Sequence, residues 1–112
     1  MDREMTAINM AGQTKTYALP RSVTAVVAFA FQNKRQLQSV VLNEGLERLE
    51  PRCFEGSQIR KLVLPSSVTD VGFSAFANCE SLRSADLSAA RGLKKLGDMV
   101  FGYRAELGDV LY

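Results

Sequence analysis

The sequence predicts one small domain of the α/β solenoid class: a short right-handed coil of stacked units with a parallel β-sheet on its concave face. Three observations support this prediction. The chain has 112 residues, enough for a single core. Each unit contains a segment in which alternate residues are apolar, as in a half-buried strand. The same apolar residue types recur every 22 to 25 residues, in the columns Phe31, Phe54, Phe76, Phe101 and Leu19, Leu42, Leu64, Leu87.

The predicted strand opens each unit. In residues 59–64 the side chains expected to face the core are those of Ile59, Leu62 and Leu64, while Val63, between the last two, is expected to point outward. Pro65 follows directly, and it ends the strand because proline has no N–H to donate to a ladder. The same order of residues in the neighbouring units predicts one parallel strand per unit.

The rest of the unit returns the chain to the next strand. Val68 and Val71 bury two more side chains, and Gly72 marks a tight bend where a Cβ would be unwelcome. Ala75 and Phe76 are expected to open a short helical or 3₁₀ turn whose Phe fills the interior of the coil. One such unit cannot bury its own apolar face, so the units must stack on one another.

Residues 59–79, IRKLVLPSSVTDVGFSAFANC, resemble the BspA-like class of leucine-rich repeats, whose consensus is LxxLxLPxxVxxIGxxAFxxC. The resemblance implies an array of about four units over residues 14–112, preceded by an N-terminal cap or degenerate half-repeat over residues 1–13. Repeats of this class are typically parts of long surface proteins of bacteria and protozoa that bind other proteins. The resemblance therefore implies that the chain is a non-catalytic protein-protein interaction module.

The concave face is the expected binding surface, because solenoids commonly bind partners there. Outward positions of the strands place Val41 and Val63 next to each other with basic residues at their margin. An apolar centre with a charged margin is typical of a protein-binding patch, whereas the alternative is that valines are simply good strand formers. The expected partner-binding residues are Ser39, Val41, Arg60, Lys61, Val63, Arg83 and Asp86.

The last residues predict a second function class. Val110, Leu111 and Tyr112 belong to a segment that starts a new strand, and an uncovered strand edge is a template for pairing with another chain. The alternative function is therefore a structural subunit or fragment that self-assembles through this edge, for example as a homodimer.

Composition argues against several other functions. The chain contains no histidine and no phosphate-binding or nucleophile-elbow motif, so we expect no enzyme, no cofactor and no metal site. A net charge of +2 argues against nucleic acid as a partner, although Lys15, Arg60, Lys61 and Arg83 are the residues that would bind it. We expect Cys53 and Cys79 to be buried free thiols, with a disulfide as the alternative.

The sequence also bears on location. Its longest apolar run, near residues 26–31, is far shorter than a membrane span, so no membrane insertion is expected. The first residues do not resemble a secretory signal, which favours the cytoplasm; a cell-surface location is expected if the chain is a fragment of a longer protein.

Overall fold

The computed structural model describes residues 15–102 and two further strands, at 4–5 and 109–111. In this part of the chain every strand pairing is parallel, and the coils stack into a solenoid of about four turns, as predicted. The strands are β1 (Glu4–Met5), β2 (Thr16–Ala18), β3 (Ala25–Val26), β4 (Ser39–Val41), β5 (Arg48–Leu49), β6 (Lys61–Val63), β7 (Asp70–Val71), β8 (Ser84–Asp86), β9 (Lys95–Leu96) and β10 (Asp109–Leu111).

The long strands, of three residues each, form two parallel sheets where the sequence predicts one. β2 pairs with β4, and β6, β8 and β10 form a three-stranded sheet with β8 in the centre. No ladder joins β4 to β6, both of which are fully described. The two coils remain in contact just before β6, where the Gln58 N–H donates to the Leu37 carbonyl at 2.9 Å and the Arg60 N–H to that of Gln38 at 3.2 Å. The predicted sheet is therefore present but interrupted at this point.

The short strands form a further sheet that the sequence does not predict. Its five strands of two residues lie in the order β1, β3, β5, β7, β9. They coincide with the segment in which two further apolar residues were predicted to be buried, and Val26, Leu49 and Val71 lie in register there and face the core. The coil thus has two sheet faces joined by turns.

A column of phenylalanine rings fills the interior. Phe31 and Phe54 stack with centroids 4.9 Å apart, Phe54 and Phe76 at 5.4 Å, and Phe76 and Phe101 at 6.3 Å. Tyr17 packs against Phe31 at one end of the column, with centroids 5.7 Å apart. Each ring contacts the ring of the next coil, so the period read from the sequence is the period of the core.

The α component of the predicted class needs correction, because the described residues contain no helix. The turn at each Ala-Phe or Cys-Phe pair is a single turn closed by bonds such as Ala77 N–H to Ser74 carbonyl at 3.1 Å. The Phe54 and Phe76 N–H groups donate instead to carbonyls of the next coil, at 2.9 and 2.8 Å. Backbone N–H groups that donate to the neighbouring coil are not available for the i to i−4 hydrogen bonds that would extend a helix.

The structure confirms the tight bend predicted at Gly72. The constraint comes from the close approach of two successive coils. A Cβ at Gly72 would lie 2.6 Å from the Pro51 nitrogen, and one at Gly97 would lie 2.6 Å from the Phe73 nitrogen. These contacts are to backbone atoms, which cannot move aside as a side chain can. Glycine at this corner therefore lets successive coils approach at the spacing of the sheets.

Candidate interaction surface

The outward side chains of the long strands form one surface, which we call the long-strand face. Alternation along each three-residue strand places its central residue in or towards the core and its outer two residues outside. In β6, for example, Leu62 is buried while Lys61 and Val63 are exposed. The residues of β4, β6 and β8 on this face are Ser39, Val41, Lys61, Val63, Ser84 and Asp86.

Two apolar side chains stand out on the long-strand face. Val41 is 55% exposed and Val63 is 48% exposed, whereas valines at other positions of the coils are buried in the core. The two residues occupy the same position of successive long strands, on either side of the interruption between β4 and β6. The structure thus presents an apolar pair at the point where the sheet is not continuous.

Basic and acidic groups lie beside this pair. Lys61 shares a strand with Val63 and is exposed, as is Arg60 just before it. Asp86 is in register with Val63 on the next strand. Hydrogen bonds from the Ser88 hydroxyl, at 2.5 Å, and the Ser88 N–H, at 2.9 Å, hold the pKa of Asp86 below its usual range, with a further contribution from Lys61. The margin therefore carries fixed charges of both signs.

Arg83 lies at the edge of this face and is turned towards its own coil. Its guanidinium Nη1 donates to the carbonyl of Glu80 at 2.9 Å. The structure therefore places Ser39, Val41, Lys61, Val63 and Asp86 on one face, with Arg60 adjoining. The Arg83 side chain is hydrogen-bonded to a nearby turn.

The side chains of all three residues predicted for self-association lie outside the described part of the structure. Val110 and Leu111 belong to β10, which pairs with β8 in the register Val110 to Ala85 and Leu111 to Asp86. β10 is one of the two outer strands of its sheet, the other being β6. Tyr112 is outside the described residues.

A second exposed apolar surface is present that the sequence does not predict. Phe29, Phe73 and Met99 are 53%, 40% and 40% exposed at a corner of successive coils, and the Arg52 guanidinium lies 5.0 Å from the centre of the Phe73 ring. Phe29 and Met99 have φ angles of 65° and 55° in the left-handed region, which bulky residues rarely adopt. Hydrophobicity patterns carry no information on φ, so no signal in the sequence marks this corner.

A cleft of about 490 Å³ adjoins the short-strand sheet. It lies beside Gly72 and Gly97, and its rim carries charges of both signs. Arg48 and Glu50 approach each other there at 3.6 Å, between Nη2 and Oε2. No group of three or more Cys, Asp or Glu side chains in the described part of the chain is placed to hold a metal ion.

Cys53 and Cys79 are both buried free thiols in the structure. Burial is the main cause that raises the pKa of the Cys53 thiol, far above the range in which a cysteine acts as a nucleophile. The Cys79 sulfur lies 3.4 Å from the Ser57 hydroxyl and 3.3 Å from the Phe54 carbonyl. Both thiols are therefore placed as core residues.

Comparison with known proteins agrees with the geometry. Residues 7–111 match the model of the BspA type leucine rich repeat region, a family with six matched copies here. No curated protein matches the chain. None of the described residues belongs to a helix long and apolar enough to cross a membrane.

The solved structures to which the chain is similar include two bacterial proteins. A leucine rich cell surface protein from Faecalibacterium prausnitzii A2-165 matches 63% of this chain at 30% identity, with a TM-score of 0.62. The pneumococcal vaccine antigen PcpA matches 78% at 20% identity, with a TM-score of 0.61. The matched regions amount to only 19% and 27% of those two proteins.

The repeated core, the parallel ladders and the family match over residues 7–111 lead to one conclusion. The chain belongs to the BspA-type leucine-rich repeat family.

Proposed function

We propose that this chain is a non-catalytic module that binds another protein through the long-strand face. The observation that carries the proposal is the exposed pair Val41 and Val63, with Lys61 and Arg60 at its margin. The family supports the general role, because leucine-rich repeats commonly act as interaction modules and the F. prausnitzii neighbour is a cell surface protein.

The chemistry of the face indicates the kind of partner. Burying the exposed area of two valines supplies hydrophobic free energy, and the partner must offer apolar side chains to do so. Lys61 and Arg60 favour acidic groups around those side chains, while Asp86 favours a basic group beyond them. The proposed partner is therefore a protein surface with an apolar centre and a mainly acidic margin.

The rigidity of the solenoid is part of the proposal. The face is held by strands that are bonded to the next coil on each side of the interruption and packed on the stacked rings. A surface that is already ordered loses little conformational entropy on binding. We also propose a surface-associated role, which the likeness to a cell surface protein supports.

The test compares two variants that carry the same new charge on different faces. Val63→Glu places a carboxylate in the apolar pair, and Phe73→Glu is the matched control on the exposed corner. Each immobilised protein is incubated with extract or surface material of the source cells, and retained proteins are quantified by mass spectrometry. We expect a partner retained by the wild type and by Phe73→Glu to be lost with Val63→Glu.

Equal retention by all three proteins would overturn the assignment of the long-strand face. Melting temperatures separate loss of binding from loss of fold: both variants change exposed side chains, so we expect melting within a few degrees of the wild type.

A second candidate function is self-association through Val110, Leu111 and Tyr112. It is supported by the position of β10 as one of the two outer strands of its sheet. Leu111→Lys should then lower the average mass in light scattering at high protein concentration. A wild-type mass that stays monomeric at all concentrations would exclude it.

A further inference from the structure

The interruption between β4 and β6, which we call the β4–β6 gap, is confined to the long strands of two inner coils. On the other side of the same coils β5 pairs with β7, and their phenylalanine rings stack in the interior. Before the gap the Arg60 N–H donates to the Gln38 carbonyl at 3.2 Å. After it the Gly45 N–H donates to the Ser67 hydroxyl at 2.9 Å. The gap is therefore a local opening between two coils that are otherwise in contact.

A backbone hydrogen bond that ends the long strand in the neighbouring coils is missing at the gap. The Leu19 N–H donates to a carbonyl of the next coil at 3.0 Å, and the Leu64 N–H does so at 2.9 Å. Leu42 is the equivalent residue of the coil between them, and no such bond joins its N–H to the Val63 carbonyl. The ladder therefore stops short at Leu42, although the coils on both sides of it complete theirs.

The core is also less well covered at this point. One core column consists of Leu19, Leu42, Leu64 and Leu87. Three of these side chains are at most 5% exposed, whereas Leu42 is only partly buried. Val40, the central residue of β4, is also only partly buried. The gap therefore leaves apolar surface in contact with water, and burying that surface would favour closing the gap.

Asn43 ties the end of β4 to the preceding coil. The equivalent residues of the coils on either side are Pro20 and Pro65, whose side chains have no donor. The Asn43 Nδ2 donates to the Val23 carbonyl at 3.1 Å and to the Arg21 carbonyl at 3.4 Å, both in the preceding coil. Its Oδ1 is buried and has no hydrogen-bond partner in the described part of the structure. The side chain thus holds β4 towards β2 and leaves one buried polar atom unpaired.

We propose that the β4–β6 gap closes reversibly and that Asn43 holds it open in the state described here. In the closed state the Leu42 N–H donates to the Val63 carbonyl, and the five long strands form one continuous sheet. Closing covers the exposed part of Leu42, whereas opening keeps the bonds that Asn43 makes to the preceding coil. The two states therefore exchange one set of favourable contacts for another.

The register for closing is already present. The bond from the Arg60 N–H to the Gln38 carbonyl corresponds to the one from the Arg83 N–H to the Arg60 carbonyl, at 2.9 Å, which begins the complete ladder between β6 and β8. Extending the same register across the gap places Val41 beside Val63. In a closed ladder the two strands lie about 4.8 Å apart, so the two valines become direct neighbours.

Closing the gap therefore changes the long-strand face. A partner that covers both valines makes more contact when they are neighbours, so it binds the closed state more tightly and shifts the protein towards that state. This consequence rests on the proposed function of the long-strand face. The gap itself does not, and it is tested without a partner.

Amide hydrogen exchange followed by NMR tests whether the gap is open in solution. Leu19, Leu42 and Leu64 carry equivalent N–H groups in three successive coils, so the first and the last are internal references. We expect the Leu42 N–H to exchange at least about tenfold faster than either reference, because it lacks their hydrogen bond. Equal exchange at the three positions would overturn the proposal.

Two variants test the role of Asn43. Asn43→Ala removes the bonds to the preceding coil, and Asn43→Pro in addition introduces the residue found at the equivalent position of the neighbouring coils. Proline fits this turn, because the Asn43 carbonyl accepts from the Leu46 N–H at 3.2 Å just as the Pro65 carbonyl accepts from the Val68 N–H at 3.2 Å.

We expect both variants to close the gap and slow exchange of the Leu42 N–H about tenfold, towards the rate of Leu64. Ser88→Ala is the matched control, because Ser88 occupies the same position in another coil and its hydroxyl bonds only to Asp86 of its own coil. It should leave the Leu42 rate unchanged. Melting temperatures confirm that the variants are folded. Unchanged or faster exchange at Leu42 in both folded Asn43 variants would overturn the proposal.

The link to binding is tested with a captured partner. Calorimetry should give a dissociation constant about tenfold lower for Asn43→Pro than for the wild type, because the variant does not have to close first. Equal constants, together with slowed exchange at Leu42, would overturn the link between closing and binding. If Val63→Glu binds as well as the wild type, the proposed function of the long-strand face fails instead, and exchange at Leu42 still decides whether the gap closes.

Discussion

The coils have two backbone positions in the left-handed region, and different types of residue occupy the two positions. In the first three coils the second left-handed position is Asn33, Gly56 and Asn78, which are the residue types that tolerate positive φ. The first left-handed position of the four coils is instead Phe29, Arg52, Ser74 and Met99. The tolerance of Asn and Gly for positive φ explains the residues found at the second position. It does not explain the choice of Phe29 and Met99 at the first position.

The most informative residue in the core is Phe76, one of the inner rings of the column. Phe76→Ala should lower the free energy of unfolding by about 3–5 kcal/mol, because it removes contacts with the rings above and below and leaves a cavity. Denaturant titration measures the loss. Phe76→Leu, which keeps most of the apolar volume, should lose less than half as much; equal losses would show that apolar volume alone is not what the site provides.

Cys53 predicts a pH dependence on the alkaline side. Its thiol is buried and its pKa is raised in the folded protein, whereas in the unfolded chain it ionises near its ordinary value of about 8.5. The folded state is therefore fully favoured below that value and loses stability as pH rises above it, by about 2 kcal/mol at pH 10.

Urea titrations at pH 7 and pH 10 test this, with Cys53→Ala as the control, since Ala30 and Ala75 occupy the equivalent buried position. The variant should lose less stability than the wild type between the two pH values. The same loss in both proteins would contradict a role for this thiol.

At the level of elements, some features follow from residue periodicity and others do not. The long strands and the ring column are predictable because apolar residue types repeat every 22 to 25 residues. The short-strand sheet is not, since two residues such as Asp70 and Val71 are too few to show alternation. The sequence also does not predict the interruption between β4 and β6, because Val41 and Val63 are good strand residues on both sides of it.

The corner glycines give a prediction for the stacking of elements. Gly72→Ala should lower the free energy of unfolding by about 1–3 kcal/mol, because its Cβ would lie 2.6 Å from the Pro51 nitrogen and the two coils would have to separate.

Gly92→Ala is the matched control, since a Cβ there meets no atom within 4 Å. It should leave stability unchanged or raise it slightly by restricting the unfolded chain. Both variants are compared by thermal melting; equal melting temperatures would contradict the close approach of the coils at Gly72.

For the whole molecule, the fold leaves its outer faces free to vary while the core repeats. The buried columns are nearly uniform from coil to coil, whereas the long-strand face reads serine and valine, then lysine and valine, then serine and aspartate. The sequence predicts which residues lie on this face, because successive side chains of a strand point alternately into the core and outward. It does not predict that the Arg83 guanidinium turns to the Glu80 carbonyl, since that depends on the local turn.

The central claim is that the long-strand face binds a protein partner through Val41 and Val63. The most direct measurement is the dissociation constant of a captured partner, titrated calorimetrically against the wild type, Val63→Glu and Phe73→Glu. The account predicts binding at least about tenfold weaker for Val63→Glu, because a carboxylate is buried in an apolar contact, and unchanged binding for Phe73→Glu. Equal dissociation constants for Val63→Glu and the wild type would contradict it.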